Sequence, residues 1–232
     1  MLSKRLRQIA GLVTPGHRLA DIGTDHAWLP VALCQEDMIP SAIATDLRSG
    51  PLRAAARHIR DAGLEDRIEV RQADGLQGLS AEEADTIVIT GMGGRLIRGI
   101  LEDGAAGLHG VPEWILGPQS ETGELRSWLA VHGFRFADER MVEEDGKFYP
   151  ILRMVPEDGP AERYTETELV AGPCLLRQRD PVLRRWLELR LHTLETILRG
   201  LEEQPGERAA ERAEELRHER KLLREAEQVY EM

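Results

Sequence analysis

The chain has 232 residues, of which 41% are hydrophobic and 4% aromatic, so it can hold one medium domain and a smaller second unit. It has no run of 18 apolar residues and no apolar signal-peptide core, so we expect a soluble, cytoplasmic protein that does not enter a membrane. The formal net charge of -11 argues against a nucleic-acid partner unless basic residues are clustered. Cys34 and Cys174 lack metal-ligand spacing; we expect two buried thiols and no metal site.

The first predicted element is a helix over residues 3–12, with Ser3 as its N-cap and apolar residues at helical spacing. Its opposite face is basic and is either a solvated surface or a phosphate contact. The basic residues are Lys4, Arg5 and Arg7.

The stretch from Leu19 to Pro30 joins a short apolar strand, ending near Asp21, to a helix over 27–35. This is typical of the first strand-to-helix turn in a nucleotide-binding α/β fold, where a glycine lets backbone N–H groups approach the ligand. The turn has only Gly23, whereas a dinucleotide fingerprint needs three glycines, and Asp25 would repel a pyrophosphate. The loop therefore argues against NAD or ATP and favours a cationic or neutral ligand group.

Strands and helices then alternate, which favours a parallel sheet covered by helices. Asp46 ends the second strand, a position from which a carboxylate accepts hydrogen bonds from ribose hydroxyls. Two final strands, joined around Gly146, form an antiparallel hairpin. The pattern predicts the seven-stranded methyltransferase version of the Rossmann fold over residues 1–158. The predicted strands after the first are 41–46, 67–72, 85–90, 114–117, 134–142 and 147–155, and the helices are 52–62, 95–103 and 122–132.

Beyond a linker at 156–160 the composition changes, and residues 159–232 are predicted to form an α-helical domain. Pro181 opens a long helix, residues 204–206 end it, and 207–230 form a second one, together an antiparallel coiled-coil hairpin. Clustered arginines near its start form either a solvated face or contacts with an RNA backbone. We prefer the RNA contact because the protein is otherwise acidic. These residues are Arg177, Arg179, Arg184, Arg185 and Arg190.

Taken together, the motifs resemble one family, the bacterial tRNA (adenine-22-N1)-methyltransferases, known as TrmK. The resemblance covers about residues 1–180, and its most specific parts are Asp-Ile-Gly-Thr-Asp-His-Ala at 21–27 and Gly-Met-Gly-Gly at 91–94. Trp28 stands where the family usually has tyrosine. Gln119 follows two positions after the place of a family glutamine, and either it replaces that glutamine in function or the contact is lost. The other matching stretches are 42–46, 50–52, 74–76, 125–129, 144–149 and 172–173.

The resemblance implies S-adenosylmethionine as cofactor and tRNA as partner, with methyl transfer to N1 of adenine 22; we expect a monomer. A cationic sulfonium makes acidic residues near the first loop tolerable. We assign Asp46 to the ribose hydroxyls and Asp74 to the adenine amino group, whereas Asp21 either shapes the methionine site or only ties down the loop. The expected cofactor-binding residues are Asp21, Gly23, Thr24, His26, Asp46, Asp74, Gly75 and Gly91.

Adenine N1 carries a lone pair and no proton, so the expected reaction is an in-line displacement without a base or a covalent enzyme intermediate. The product is cationic, and Asp25 either stabilises that charge or caps the following helix. Trp28 either stacks on an extruded base or packs in the core, and His26 either orients Asp25 or is structural. The expected catalytic residues are Asp25, Trp28, Gly91 and Met92.

RNA binding is expected to depend on local basic patches and to be weak and strongly salt-dependent. Two other interpretations remain open, a methyltransferase for a small molecule and a non-catalytic cofactor-binding interaction protein. The expected RNA-binding residues are Lys4, Arg5, Arg7, Arg95, Arg177, Arg184 and Arg185, with Arg98 as a further candidate.

Overall fold

A computed structural model describes residues 2–157, 159, 162–202 and 206–231. The contacts divide the chain into two compact units, Met1–Glu162 and Arg163–Met232. Parts of the predicted linker at 156–160 and of the predicted helix break at 204–206 lie outside the described residues.

The first unit is built on a seven-stranded sheet with the order β3-β2-β1-β4-β5-β7-β6. Strands β1 to β5 are parallel, and β7 is antiparallel to both of its neighbours. This confirms the predicted Rossmann-like methyltransferase fold. The strands are β1 (Leu19–Ile22), β2 (Ala42–Asp46), β3 (Ile68–Gln72), β4 (Thr86–Met92), β5 (Glu113–Pro118), β6 (Phe134–Glu144) and β7 (Lys147–Pro156).

Helices cover the sheet, and β1, β2 and β5 are buried along their whole length. Their central residues are mostly apolar, as in strands whose two faces both lie against helices, and the polar residues Asp21, Asp46 and Glu113 stand at or near strand ends. Cys34 lies in this core, whereas Cys174 is buried in the second unit, and neither forms a disulfide. The helices are α1 (Lys4–Ala10), α2 (Trp28–Gln35), α3 (Ser49–Asp61), α4 (Gly94–Gly104), a short 3₁₀ turn (Ala105–Leu108) and α5 (Thr122–Ala130).

The hairpin of β6 and β7 closes the antiparallel edge through a two-residue turn. Glu144 pairs with Lys147, and Asp145 and Gly146 both have positive φ, as a type I′ turn requires. The Asp-Gly pair therefore fixes the register of the hairpin as the sequence predicts.

A buried carboxylate at the start of β5 joins three segments of the first unit. Glu113 accepts hydrogen bonds from the N–H and the hydroxyl of Thr14, from Thr86 Oγ1 and from Arg153 Nε. Burial raises the pKa of Glu113, but these hydrogen bonds outweigh it and hold the pKa below its usual range. The network ties β4, β5 and β7 together at the end of the sheet where β5 begins.

The second unit consists of α6 (Glu166–Ala171), α7 (Pro173–Gln178), α8 (Pro181–Glu202) and α9 (Glu207–Gln228). Four residues join α8 to α9, and Tyr230 Oη donates a hydrogen bond of 2.9 Å to the Asp180 carbonyl. The two long helices are therefore antiparallel, because both pairs of ends meet. None of the helices in the described ranges is long and apolar enough to span a membrane.

Helix α9 also packs against α6. The Thr167 hydroxyl donates a hydrogen bond of 2.6 Å to the Glu225 carboxylate, and His218 Nε2 lies 2.7 Å from the Glu166 carboxylate. The sequence analysis predicted α8 and α9 but missed α6 and α7, so this unit has more layers than a two-helix hairpin. Its local signals were present: a capping box at Thr165 and Glu168 starts α6, and Pro173 stands at the first position of α7.

Candidate active site

The carboxyl ends of β1, β2 and β4 open into a groove with two adjacent chambers. The first chamber has a volume of about 460 Å³ and the second about 380 Å³. Most of the predicted site residues meet here. The first chamber is lined by Asp21, Gly23, Thr24, Asp25, Trp28, Asp46, Gly91, Met92 and Gln119, and the second by Gly23, Asp46, Asp74, Gly75 and Met92.

Met92 lies over Gly23 where the two chambers meet, since both residues line both of them. A Cβ at Gly23 would lie 2.1 Å from Met92 Cε, and Gly23 has a φ of +72°. The positive φ favours glycine here, because a side chain would strain the backbone, and it would also displace the flexible end of Met92. The single glycine of the loop therefore makes room for the Met92 side chain.

Asp21 and Thr24 form the floor of the first chamber and are both buried. Thr24 Oγ1 donates a hydrogen bond of 2.5 Å to Asp21 Oδ2, and the Thr24 N–H donates to the Thr45 carbonyl. Burial raises the pKa of Asp21 to about 6, although the Thr24 hydrogen bond opposes this. Asp21 thus bonds to a side chain of its own loop, and its burial holds the pKa of the carboxyl well above the usual range.

Asp46 ends β2 at the junction of the chambers, and its side chain is almost fully buried. Its Oδ1 accepts a hydrogen bond of 2.8 Å from the Arg48 N–H, and Arg48 Nε lies 3.5 Å away. Within the described part of the chain, Oδ2 has no hydrogen-bond partner, so it can accept from a bound hydroxyl.

The second chamber is mostly apolar and holds Asp74 and Gly75 at one side. Leu47 and Leu96 line it although each is 57% exposed, and Ile100 would contact a Cβ at Gly75 at 3.1 Å. These leucines offer an apolar surface on which a planar ligand group can pack. A carboxylate beside such a surface suits a purine with an exocyclic amine.

Asp25 is 68% exposed and has a φ of +54°. The alternative that it caps a helix is wrong, because α2 begins at Trp28 and its N-cap, Ala27, makes no side-chain cap hydrogen bond. His26 lines neither chamber; its Nε2 lies 3.7 Å from Asp25 Oδ1, and its carbonyl accepts from His58 Nδ1. Asp25 therefore faces the first chamber as a solvated carboxylate.

Trp28 is 45% exposed, so the alternative that it packs in the core is wrong. Its ring centroid lies 4.2 Å from that of His58 and 6.2 Å from that of His26. The Trp28 ring therefore packs against His58 and at the same time lines the first chamber.

Gly91 and Met92 lie where β4 shifts its register against β5. Gly91 has a φ of +80°, and the Gln119 N–H donates a hydrogen bond of 2.8 Å to the Met92 carbonyl. A Cβ at Gly91 would lie 4.0 Å from Gln119 Nε2. Gln119 therefore lines the first chamber even though it stands two positions after the family glutamine.

Comparisons with known proteins agree with this geometry. The family model of the tRNA (adenine(22)-N(1))-methyltransferases matches residues 19–227. The tRNA (adenine(22)-N(1))-methyltransferase of Bacillus subtilis is 35% identical over 97% of this chain and 96% of its own length. The chain belongs to this methyltransferase family. The resemblance inferred from the sequence is thus confirmed.

Solved structures of related proteins share the whole fold. The Streptococcus pneumoniae protein Sp1610 is 35% identical with a TM-score of 0.90, and the match covers 98% of this chain and 100% of its own. Its complex with S-adenosyl-L-methionine has a TM-score of 0.87 at 34% identity and the same coverage. This similarity favours the tRNA methyltransferase over the two alternatives left open by the sequence.

In this member of the tRNA (adenine(22)-N(1))-methyltransferase family, Arg5 is the predicted RNA-binding residue of the first unit that lines a chamber in the described part of the chain. Arg5 lines the first chamber, whereas Lys4 Nζ donates to the Glu143 carbonyl and Arg7 donates to the Leu2 carbonyl. Arg95 is exposed, 3.8 Å from Glu121 and 3.7 Å from Glu124, and Arg98 pairs with Glu102. The glutamates partly neutralise these two arginines.

In the second unit the predicted arginines face different partners. Arg184 lies 3.3 Å from Glu188, Arg190 lies 2.7 Å from Glu219, and Arg177 contacts Cys174 Sγ. Arg179 ends α7 in the left-handed conformation. The structure therefore gives several of these side chains intramolecular roles that the sequence pattern did not indicate.

Several lining residues of the groove were missed by the sequence analysis. Apolar residues at the ends of strands and helices resemble core residues, so nothing in their type marks them. Arg48 and Leu47 could have been found, because they directly follow Asp46 at the carboxyl end of β2. The missed residues are Leu6, Leu29 and Thr90 in the first chamber, Ile22, Thr45, Leu47, Ala73, Leu96 and Ile100 in the second, and Arg48 in both.

Proposed function

We propose that the protein methylates N1 of adenine 22 in tRNA, with S-adenosylmethionine as the methyl donor. The observation that carries this proposal is the buried Asp46 at the junction of two chambers, in a chain of this methyltransferase family. An acidic residue at that strand end selects a ribose. The first chamber then takes the methionine part and the acceptor base, and the second takes the adenine of the cofactor.

The residues present fit this cofactor. Asp46 Oδ2 is available for a ribose hydroxyl, and Asp74 lies beside the apolar chamber where it can accept from an adenine amino group. Gly23 has no side chain, and Asp21 with Thr24 supplies oxygen atoms beneath the methionine part. When bound, the cofactor supplies an electrophilic methyl group carried by a sulfonium.

The chain's own residues position the acceptor and exclude water rather than move a proton, because N1 presents a lone pair. Trp28 offers an exposed ring on which an extruded base can stack. Leu6 and Leu29 make the wall beside it apolar. Asp25 faces the same chamber, and its negative charge stabilises the positive charge that develops on the methylated ring.

Gly91 contributes only backbone groups at the end of β4, and the Met92 side chain lies over Gly23, so neither residue brings an amide or a carboxylate to the chamber. A side-chain amide or carboxylate there would suit an acceptor with amine protons, whereas a ring nitrogen needs none. Gln119 lines the same chamber and can donate to a nitrogen or oxygen of the target base.

The domain assignment belongs to the same proposal. Residues 1–158 form the methyltransferase domain, and 159–232 form a helical, coiled-coil-like domain that aids tRNA binding. Basic side chains hold the phosphate backbone, and binding falls with salt because the protein as a whole is acidic. We further propose that the enzyme acts as a monomer in the cytoplasm. The proposed RNA-binding residues are Lys4, Arg5, Arg7, Arg95, Arg177, Arg184 and Arg185.

The test is methylation of an unmodified tRNA transcript by the full chain with labelled S-adenosylmethionine, followed by nucleoside analysis. We expect 1-methyladenosine in a transcript with adenine at position 22 and none in the matched transcript with guanine there. Label in both transcripts, or in neither, would contradict the proposed target.

A further inference from the structure

Arg5 of α1 lies in the first chamber and is held there by an aromatic ring. Its Cζ lies 4.7 Å from the centroid of the Tyr149 ring in β7. An aromatic face at this distance attracts a guanidinium and restricts its motion. The cation is therefore fixed in place before any ligand arrives.

Arg5 has no ion-pair partner within the part of the chain that the structure describes. Its Nε is buried and makes no hydrogen bond. Its neighbours on the same helix differ, since Lys4 Nζ donates to the Glu143 carbonyl and Arg7 donates to the Leu2 carbonyl. A buried donor without a partner is destabilising, so a bound group that accepts from the Arg5 guanidinium would relieve a cost already present.

The charges around Arg5 decide what that group is. The first chamber contains the carboxylates of Asp21, Asp25 and Asp46, and its other guanidinium, Arg48, lies 3.5 Å from Asp46. Arg5 repels the sulfonium, the amino group of the methionine part and the methylated base, all of which are cationic. An anionic oxygen group is the complementary ligand, and a guanidinium binds carboxylate or phosphate through two parallel hydrogen bonds.

We propose that Arg5, held by Tyr149, is an oxyanion-binding residue of the first chamber. The inference rests on the proposed function, which brings two such groups to this place. One is the carboxylate of the cofactor's methionine part, and the other is a phosphate next to the target adenosine. The carboxylate and the phosphate would bind the same guanidinium, and the two arms of the experiment below show which of them does.

The first arm measures cofactor binding by calorimetry without RNA, for the wild type and for Arg5→Gln and Arg5→Lys. The ligands are S-adenosylmethionine and its decarboxylated analogue, which lacks only the carboxylate. If the cofactor is the source, Arg5→Gln weakens S-adenosylmethionine binding about 10-fold and leaves the analogue unchanged. Arg5→Lys keeps part of the affinity for S-adenosylmethionine, because lysine retains the positive charge but cannot form the two parallel hydrogen bonds of a guanidinium.

The second arm measures kcat/KM on a tRNA in which one phosphate beside the target adenosine is replaced by a neutral methylphosphonate. If the phosphate is the source, Arg5→Gln lowers kcat/KM about 10-fold on the natural RNA and not on the modified one. Cofactor affinity is then unchanged.

Arg60→Gln is the matched control, because Arg60 is an exposed arginine of α3 that lies 3.8 Å from Glu65. We expect it to behave as the wild type in both arms, with unfolding temperatures checked for every variant. The proposal is overturned if Arg5→Gln equals Arg60→Gln in both arms, or if its losses are the same with and without the anionic group. A wild type that forms no 1-methyladenosine would refute the function instead, and the binding arm would still test Arg5.

Discussion

The hydroxyl of Thr24 donates a hydrogen bond of 2.5 Å to Oδ2 of Asp21, beneath the first chamber. Both side chains are buried, and burial raises the pKa of Asp21 to about 6 from the model-peptide value of 3.8. Burial therefore makes the neutral carboxyl easier to populate than in a solvated aspartic acid, although the charged form still predominates at pH 7. A cationic ligand group near this site would favour the charged form instead, which links the protonation of Asp21 to occupancy of the groove.

We predict that Asp21→Asn removes a pH-dependent part of the stability. Because the folded-state pKa is raised, the folded protein binds the proton more tightly than the unfolded chain. The stabilisation is complete below about pH 4 and is lost as pH rises through about 6. Two pKa units correspond to about 3 kcal/mol, so the variant gains up to that amount relative to wild type between pH 4 and 8. Urea unfolding of both proteins at pH 4, 5, 6, 7 and 8 measures this change. A difference in the free energy of unfolding that stays the same at every pH would contradict the prediction.

Asp46→Ala is predicted to weaken cofactor binding without unfolding the protein. Its carboxylate is nearly buried and one oxygen is available to a ribose hydroxyl, and a hydrogen bond to a charged group contributes about 1.5–3 kcal/mol. This corresponds to roughly 10- to 150-fold in the dissociation constant of S-adenosylhomocysteine. Calorimetric titration measures it, with Asp61→Ala at the end of α3 as control. Unchanged affinity would show that Asp46 does not hold the ribose.

Asp25→Asn is predicted to lower kcat while the cofactor affinity stays within about twofold. The carboxylate is solvated and faces the acceptor side of the groove, so its charge matters when the base becomes positive. We expect roughly a 10-fold loss in single-turnover rate at saturating tRNA and cofactor. Equal losses in rate and in cofactor affinity would instead make Asp25 part of the cofactor site.

The sheet was predictable because its information is local: apolar runs of strand length, an acidic residue at the end of β2, and Asp-Gly at a two-residue turn. Helices α6 and α7 were missed since six residues contain too few turns for a periodic pattern. The position of Met92 over Gly23 and the direction of Arg5 towards Tyr149 depend on how distant elements pack. The exposed Trp28 ring has the same origin, because residue type does not determine which side of α2 faces the groove.

Glu113→Gln is predicted to destabilise the first unit by about 2–4 kcal/mol at pH 7. The substitution leaves Arg153, which is one-third exposed, without its anionic partner, and the amide keeps only one of the two oxygens that accept from Thr14, Thr86 and Arg153. Since the folded-state pKa is lowered, the wild type keeps this stabilisation above about pH 4.5 and loses it as pH falls through the lower folded value. Denaturant unfolding measures the change. Glu102→Gln is the control, because it removes only an exposed ion pair with Arg98 within α4. It should change the free energy of unfolding by less than about 0.5 kcal/mol.

Arg184→Gln combined with Arg185→Gln is predicted to raise KM for tRNA and to reduce its salt dependence. If both guanidiniums contact phosphates, the slope of log affinity against log salt falls in magnitude by about 2, while affinity for S-adenosylhomocysteine is unchanged. Methylation assays between 50 and 200 mM salt, a range over which phosphate contacts weaken strongly, would measure it. Arg212→Gln removes an exposed arginine that lies 2.6 Å from Glu215 in α9 and serves as control. An unchanged salt slope in the double variant would show that these arginines are a solvated face of α8.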